Sequence, residues 1–239
     1  MKTEGRNAVA ELLKTDKTIE KILMEKEARG SLGKIFKDAR ERGVRVQFVD
    51  KRVLDKESVS GRHQGCIAYS TDYKYSSLDE IINSKGADGG FVILCDCIED
   101  VHNLGSIIRV AECAGADGVV IQSTNSAGVT EAVVRISAGA ANHVRVAKVN
   151  SLNRAVDELK KNGYWLYALE ADGEDIYKAD LKGNVALVIG GEDSGVKRLT
   201  REKCDFVLSL PMKGKVNSLN ASVALGIAAY EVVRTRRGK

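Results

Sequence analysis

The sequence predicts an α/β protein in which a small α/β unit precedes a larger domain built on a mainly parallel sheet covered on both faces. Three observations carry this expectation. Short apolar or alternating runs recur between helical patterns along most of the chain. The 23 glycines stand against one proline, which suits regular elements joined by short turns. The 239 residues, 44% hydrophobic and 29% charged, suffice for one large core or two compact ones.

In order along the chain, AVAELLK (8–14) has helical spacing and IEKILME (19–25) reads as extended. LGKIFKDARERG (32–43) is amphipathic and closes on a glycine, while VRVQFVD (44–50) and GCIAYS (65–70) are again extended. Residues 1–70 therefore form the small unit. Residues 71–90, a polar stretch with a short helical pattern, SLDEIIN, and the glycine cluster GADGG, read as a linker. From 91 to 239 the runs FVILCDC, GVVIQS, HVRVAKV, YWLYALE, NVALVIGG and FVLSLPM supply the strands of the second domain.

A parallel sheet presents ligands with the carboxyl ends of its strands, and three loops there are unusual. In DCIEDVHNLGSIIRVAECAG (96–115) a helix is expected to start at Asn103, with Leu104, Ile107, Ile108 and Ala111 on one face. Asn103 can cap that helix. Arg109, directly after Ile107 and Ile108, can snorkel to solvent or aim its planar fork at phosphate. Asp96 and Asp100 suit strand-end turns better than an acid pair.

The second loop, VIGGEDSGVKRLT (188–200), sets Gly190, Gly191 and Gly195 around Glu192. Such glycines suit a plain turn or a close approach of backbone to ligand. The spacing fits neither a dinucleotide fingerprint nor a P-loop. The third, LPMKGKVNSLNASVALGIAAYE (210–231), holds the sole proline, Pro211, and crowds Asn217, Ser218 and Asn220 onto one helix start. One cap suffices there, so the surplus suggests a site. Leu219, Val223, Ile227 and Tyr230 mark the expected buried face of the helix, and Ala221, Ala224, Gly226, Ala228 and Ala229 allow close packing.

The net charge of +4 is unevenly spread, for residues 1–70 hold 16 Lys and Arg against 11 Asp and Glu. A phosphate-rich partner for that unit, or a merely basic solvated surface, fits this excess. Five cysteines without a CxxC pair indicate neither disulfides nor a zinc site. No apolar run approaches the roughly 20 residues of a membrane helix, and no signal peptide is evident, so a cytoplasmic protein is expected.

NLGSIIR (103–109), the G-G-E-D-S-G loop (190–195) and LPMKGKVNSLNASVALGI (210–227), in this order, resemble the three signature motifs of the SpoU, or TrmH-like, branch of the SPOUT RNA methyltransferases. The resemblance covers about residues 89–235. GRNAVAELL and HQGCIAY resemble the family's small ribosomal-protein-like RNA-binding domain. Many relatives have proline where Val101 stands and valine where Ala221 stands, and neither change removes a reactive group.

The resemblance implies a deep trefoil knot in the C-terminal domain, a homodimer and no metal. It further implies S-adenosylmethionine bound largely through main chain at Gly190, Leu210 and Leu219. Pro211 would stop its strand so that the next residues fold over the adenosine. Arg109, Asn103, Glu192, Ser218 and Asn220 match the catalytic constellation, and Arg6, Asn7 and His63 are the candidates to meet RNA, with a turn residue satisfied by local hydrogen bonds as the other reading of His63. The family resemblance is strongest to the type that methylates the 2′-hydroxyl of a guanosine in 23S ribosomal RNA. Arg109 is sometimes proposed as the family's base, but a guanidinium hardly ever sheds its proton in a protein. A clamp on phosphate that also stabilises the developing alkoxide is the expected role. A transfer-RNA ribose methyltransferase, or a noncatalytic RNA-binding ribosome-assembly protein of the same fold, are the alternatives.

Overall fold

In a computed structural model, residues 1–26, 30–191, 195–215 and 217–238 are described. The chain divides into two compact units, Met1–Lys74 and Tyr75–Lys239.

The first unit runs β1 (Lys2–Glu4), α1 (Arg6–Leu12), β2 (Thr18–Glu25), α2 (Ser31–Glu41), β3 (Val46–Val49), α3 (Lys51–Glu57) and β4 (Cys66–Thr71). Its sheet has the order β1-β4-β2-β3, with β2 and β3 parallel and the other pairs antiparallel. The period of two along β2 sorts its side chains. Ile22 and Met24 enter a cluster with Leu32, Ile35 and Ala39 of α2, whereas Leu23 packs with Leu54 of α3.

In the second unit the order is α4 (Leu78–Ile82), β5 (Phe91–Asp96), α5 (Val101–Cys113), β6 (Gly118–Gln122), α6 (Glu131–Ile136), β7 (Arg145–Val149), α7 (Leu152–Lys161), β8 (Trp165–Asp175), β9 (Val185–Gly190), α8 (Arg198–Lys203), β10 (Phe206–Ser209) and α9 (Ala221–Arg236). The sheet, β10-β8-β9-β5-β6-β7, is parallel at every pairing. Its central strands β5 and β9 are buried at every position, as their continuous apolar runs require. The chain moves outward from β5 through β6 and β7, then returns to build β8 and β9 on the other side. The loops after β5 and β9 consequently part at the junction of these two strands, where open sheets bind ligands. Within the stretch expected as a linker, α4 forms behind a capping box in which Ser77 and Glu80 exchange hydrogen bonds, and it buries Ile81 and Ile82.

Two expectations are corrected. Helix α5 starts at Val101 rather than Asn103, because Asp100 is its cap and accepts from the N–H groups of His102 and Asn103 at 2.8 and 2.9 Å. The face of α9 is also reversed. Ala221, Leu225, Ala228, Ala229 and Val232 are buried, whereas Leu219, Val223, Ile227 and Tyr230 are 39, 50, 37 and 53% exposed. Helix α9 thus turns alanines, with Leu225 and Val232, toward the core and leaves the larger stripe outward.

Candidate active site

A pocket of about 510 Å³ opens at the carboxyl edge of β8, β9 and β10. Leu169, Ile189, Leu208 and Leu210 from the strand ends give it apolar walls, and Asn217, Ser218 and Asn220 from the start of α9 give it a polar rim. Among the expected site residues, Gly190, Leu210, Ser218, Leu219 and Asn220 all line it.

Close backbone packing explains the glycines. A Cβ on Gly190 would fall 1.9 Å from the carbonyl carbon of Gly195, and one on Gly191 would fall 2.6 Å from the carbonyl oxygen of Cys97. The loop folds back on itself, with the Gly195 N–H donating to Gly191 O at 2.9 Å and the Gly191 N–H donating to Asp96 O at 3.0 Å. Asp96, fully buried, fastens the far side of the loop by accepting the Lys197 N–H at 2.9 Å. Gly195 has φ of 59°, a left-handed value that suits glycine.

Asn220 performs two tasks. Its Oδ1 caps α9 by accepting from the N–H groups of Ser222 and Val223 at 3.0 and 3.3 Å, and its Nδ2 donates to Asn103 Oδ1 at 2.8 Å. Because Asp100 caps α5, the Asn103 side chain is released from capping to make this bond. The first and third loops are thereby joined at the pocket rim. Arg109 is exposed and does not line the pocket. It emerges from α5 six residues after Asn103, about 9 Å further along the axis. Glu192 lies outside the described residues.

The sequence alone did not single out Glu170. It lines the same pocket, and its Oε1 accepts the Val196 N–H at 2.5 Å. The signal was faint, a carboxylate ending the apolar run YWLYALE.

Several thiols are held protonated. Burial pushes Cys95 and Cys204 up to about 12 and Cys66 up to about 11, and it also raises Cys97. At neutral pH these groups are therefore poor nucleophiles. Among the described residues no group of three or more His, Cys, Asp and Glu side chains is placed to hold a metal ion.

In the first unit, Arg6 and Asn7 are exposed at the start of α1. The Arg6 guanidinium is aimed by two bonds, donating from Nε to Gln64 O at 2.9 Å and from Nη1 to Ser31 Oγ at 3.2 Å. His63 is placed differently from Arg6 and Asn7, being only 5% exposed. Its Nδ1 accepts the Gly65 N–H at 3.0 Å, so the ring proton sits on Nε2 and faces Asp55 Oδ1 at 2.9 Å. Both nitrogens are engaged, and the ring shapes the turn that presents Gln64 to Arg6.

Comparison with known proteins bears on both units. The family model described as "SpoU rRNA Methylase family" matches residues 90–230, and that described as "RNA 2'-O ribose methyltransferase substrate binding" matches residues 3–76. A Bacillus subtilis (strain 168) protein, provisionally named a TrmH family tRNA/rRNA methyltransferase, YacO, is 41% identical over 237 residues, covering 97% of this chain and 94% of its own. The structure of an AdoMet-bound rRNA methyltransferase from Sinorhizobium meliloti superposes with a TM-score of 0.62 at 23% identity, over 98% of this chain and 86% of that one. The A. aeolicus TrmH/SpoU tRNA modifying enzyme superposes with a TM-score of 0.59 at 26% identity, over 67% of this chain and 81% of that one.

Proposed function

Because this chain belongs to the SpoU rRNA methylase family of RNA methyltransferases, we propose that it transfers the methyl group of S-adenosylmethionine to the 2′-hydroxyl of a ribose in RNA, specifically a guanosine of 23S ribosomal RNA in the cytoplasm. The observation that carries this reading is the convergence of Gly190, Leu210, Ser218, Leu219 and Asn220 on one pocket, with Asn103 bonded to its rim. The pocket's size and its apolar walls fit a nucleoside, and the Gly190 cradle, which a Cβ would fill, fits recognition through peptide groups.

S-adenosylmethionine, when bound, supplies an electrophilic methyl group on a sulfonium. The chain's task is then to position a ribose hydroxyl, exclude water and accommodate the charge that develops as the hydroxyl proton leaves. In this reading Gly190, Leu210 and Leu219 hold the donor. Ser218, exposed at the rim, orients the ribose, and the Asn103–Asn220 bond fixes the rim itself. Arg109 clamps a phosphate of the target and stabilises the forming alkoxide, a role that its exposure allows. Glu192, outside the described residues, completes the catalytic set that the family motifs imply. Pro211 ends β10 so that the pocket-lining residues after it, Met212 and Leu219 among them, fold over the adenosine, and the C-terminal domain is threaded into a trefoil knot.

The active unit in this proposal is a homodimer. Val223, Ile227 and Tyr230 form an exposed stripe at helical spacing on α9, and a second copy covering it would remove a large apolar area from water. The first unit grips RNA through Arg6, Asn7 and its basic excess, with His63 shaping the turn beside them.

Support for a 23S target comes from the first unit, which matches the RNA 2'-O ribose methyltransferase substrate-binding model over residues 3–76, whereas the A. aeolicus tRNA modifying enzyme matches 67% of this chain. The test supplies labelled S-adenosylmethionine with 23S rRNA and with transfer RNA and maps the modified nucleotide. Label in a 2′-O-methylguanosine of 23S rRNA is expected. Label confined to transfer RNA would establish the alternative, and no transfer to either would refute the activity.

A further inference from the structure

Glu170 is the sole ionisable side chain among the described residues lining the pocket; the others are apolar, glycine, amide or hydroxyl residues. Its carboxylate is fixed rather than free. Oε1 accepts the Val196 N–H at 2.5 Å, and a Cβ on Gly195 would meet Oε1 and Oε2 at 2.7 and 2.9 Å. Glycine at 195 therefore lets the carboxylate lie against the loop, on the pocket wall. The nearby guanidinium of Arg201 donates to Asp172 at 2.9 Å and its charge also reaches Glu170, so the carboxylate is only partly balanced on an otherwise neutral wall.

We propose that Glu170 is the group by which this pocket distinguishes a cationic sulfonium donor from its neutral thioether product. The inference rests on the donor assignment made above. Donor and product share the adenosine, the α-ammonium and the α-carboxylate, and differ by one methyl group and one positive charge. A fixed carboxylate in a half-buried pocket attracts that charge more strongly than it would in water. When the methyl group leaves, the sulfur becomes neutral and the attraction disappears, so the same residue that favours donor binding also favours product release.

Titration calorimetry with S-adenosylmethionine and S-adenosylhomocysteine on the full chain tests this. Glu170→Gln keeps an acceptor for the Val196 N–H and removes only the charge. It is expected to weaken S-adenosylmethionine about tenfold and S-adenosylhomocysteine less than about twofold, while Glu170→Asp keeps a preference for the donor. Equal weakening of both ligands, or no change in either, would overturn the proposal, because Glu170 would then act through the loop, through the shared ammonium, or not at all. If Glu170→Gln does not fold, Glu170→Ala, which also removes the charge, gives the same test: it must lose most of the preference for the donor, and an unchanged preference overturns the proposal. A wild-type chain that binds neither ligand would refute the donor assignment itself, a result distinct from either of these.

Discussion

Asn220 and Asn103, 117 positions apart in the chain, are joined by a hydrogen bond of 2.8 Å between their side-chain amides. The bond connects the start of α9 to the first turn of α5, so it fixes the pocket rim only when the C-terminal segment is in place. A double-mutant cycle on Asn103→Ala and Asn220→Ala, read by chemical denaturation, is expected to give a coupling of about 1 kcal/mol. Asn220→Ala alone removes the α9 cap as well, and should cost about 1 kcal/mol more than Asn103→Ala. Strict additivity would mean that the bond contributes nothing to the rim.

Arg109 lies outside the pocket lining, which separates its effect on chemistry from its effect on donor binding. Arg109→Ala is expected to lower turnover about a hundred- to a thousandfold while S-adenosylmethionine affinity changes less than about twofold. Single-turnover methylation and calorimetry on the same preparation make the comparison. Loss of donor affinity in proportion to turnover would contradict the assigned role.

Two glycines should respond in opposite directions. Gly190→Ala places a methyl group 1.9 Å from backbone and is expected to destabilise the second unit by about 3 kcal/mol or more. Gly226→Ala meets Val110 at an ordinary 3.8 Å and replaces a poor helix former, so it should stabilise α9 by about 1 kcal/mol. Thermal melts of both variants provide the check.

Glu4 gives the first unit a sensitivity to acid. The hydroxyls of Ser60 and Ser58 and the N–H of Val59 bind its carboxylate and hold it at about 2, below its ordinary 4.5. Because the folded value is depressed, the stabilisation is present above about pH 4.5 and is lost as pH falls toward 2. Glu4→Gln should flatten the acid limb of a pH–stability curve in that window. An unchanged limb would show that these bonds do not hold the Glu4 carboxylate low in the folded protein.

The α9 stripe predicts an oligomeric state. Tyr230→Asp, placed on a residue 53% exposed in one chain, should leave the fold intact and convert a dimer to a monomer in sedimentation velocity. A wild-type monomer at all concentrations would contradict the dimer.

The strands of the larger sheet were legible in the sequence because parallel strands buried on both faces appear as continuous apolar runs, and β5 and β9 are of that kind. The three loops were legible for a related reason, since glycines and small polar residues clustered at strand ends have few local explanations. The orientation of α9 was not legible. A helix with large apolar residues on one side and alanine on the other is amphipathic by size rather than polarity, and periodicity alone does not show which side meets its own sheet. The cap of α5 was misassigned because Asp100 and Asn103 are both good caps, and only the backbone geometry distinguishes them. Glu170 escaped notice because its partner, Val196, lies 26 residues away, whereas the local hydrogen bonds of His63 to Gly65 and Asp55 agree with the turn reading of HQG.

The measurement that bears most directly on the assigned site is calorimetric titration of S-adenosylhomocysteine into the wild-type chain and into Leu210→Trp, which fills the pocket without touching Arg109. One binding event per chain in the wild type, abolished in a variant that still melts cooperatively, is the expected result. Absence of binding to the wild type, or binding that survives the obstruction, would contradict the assignment of this pocket.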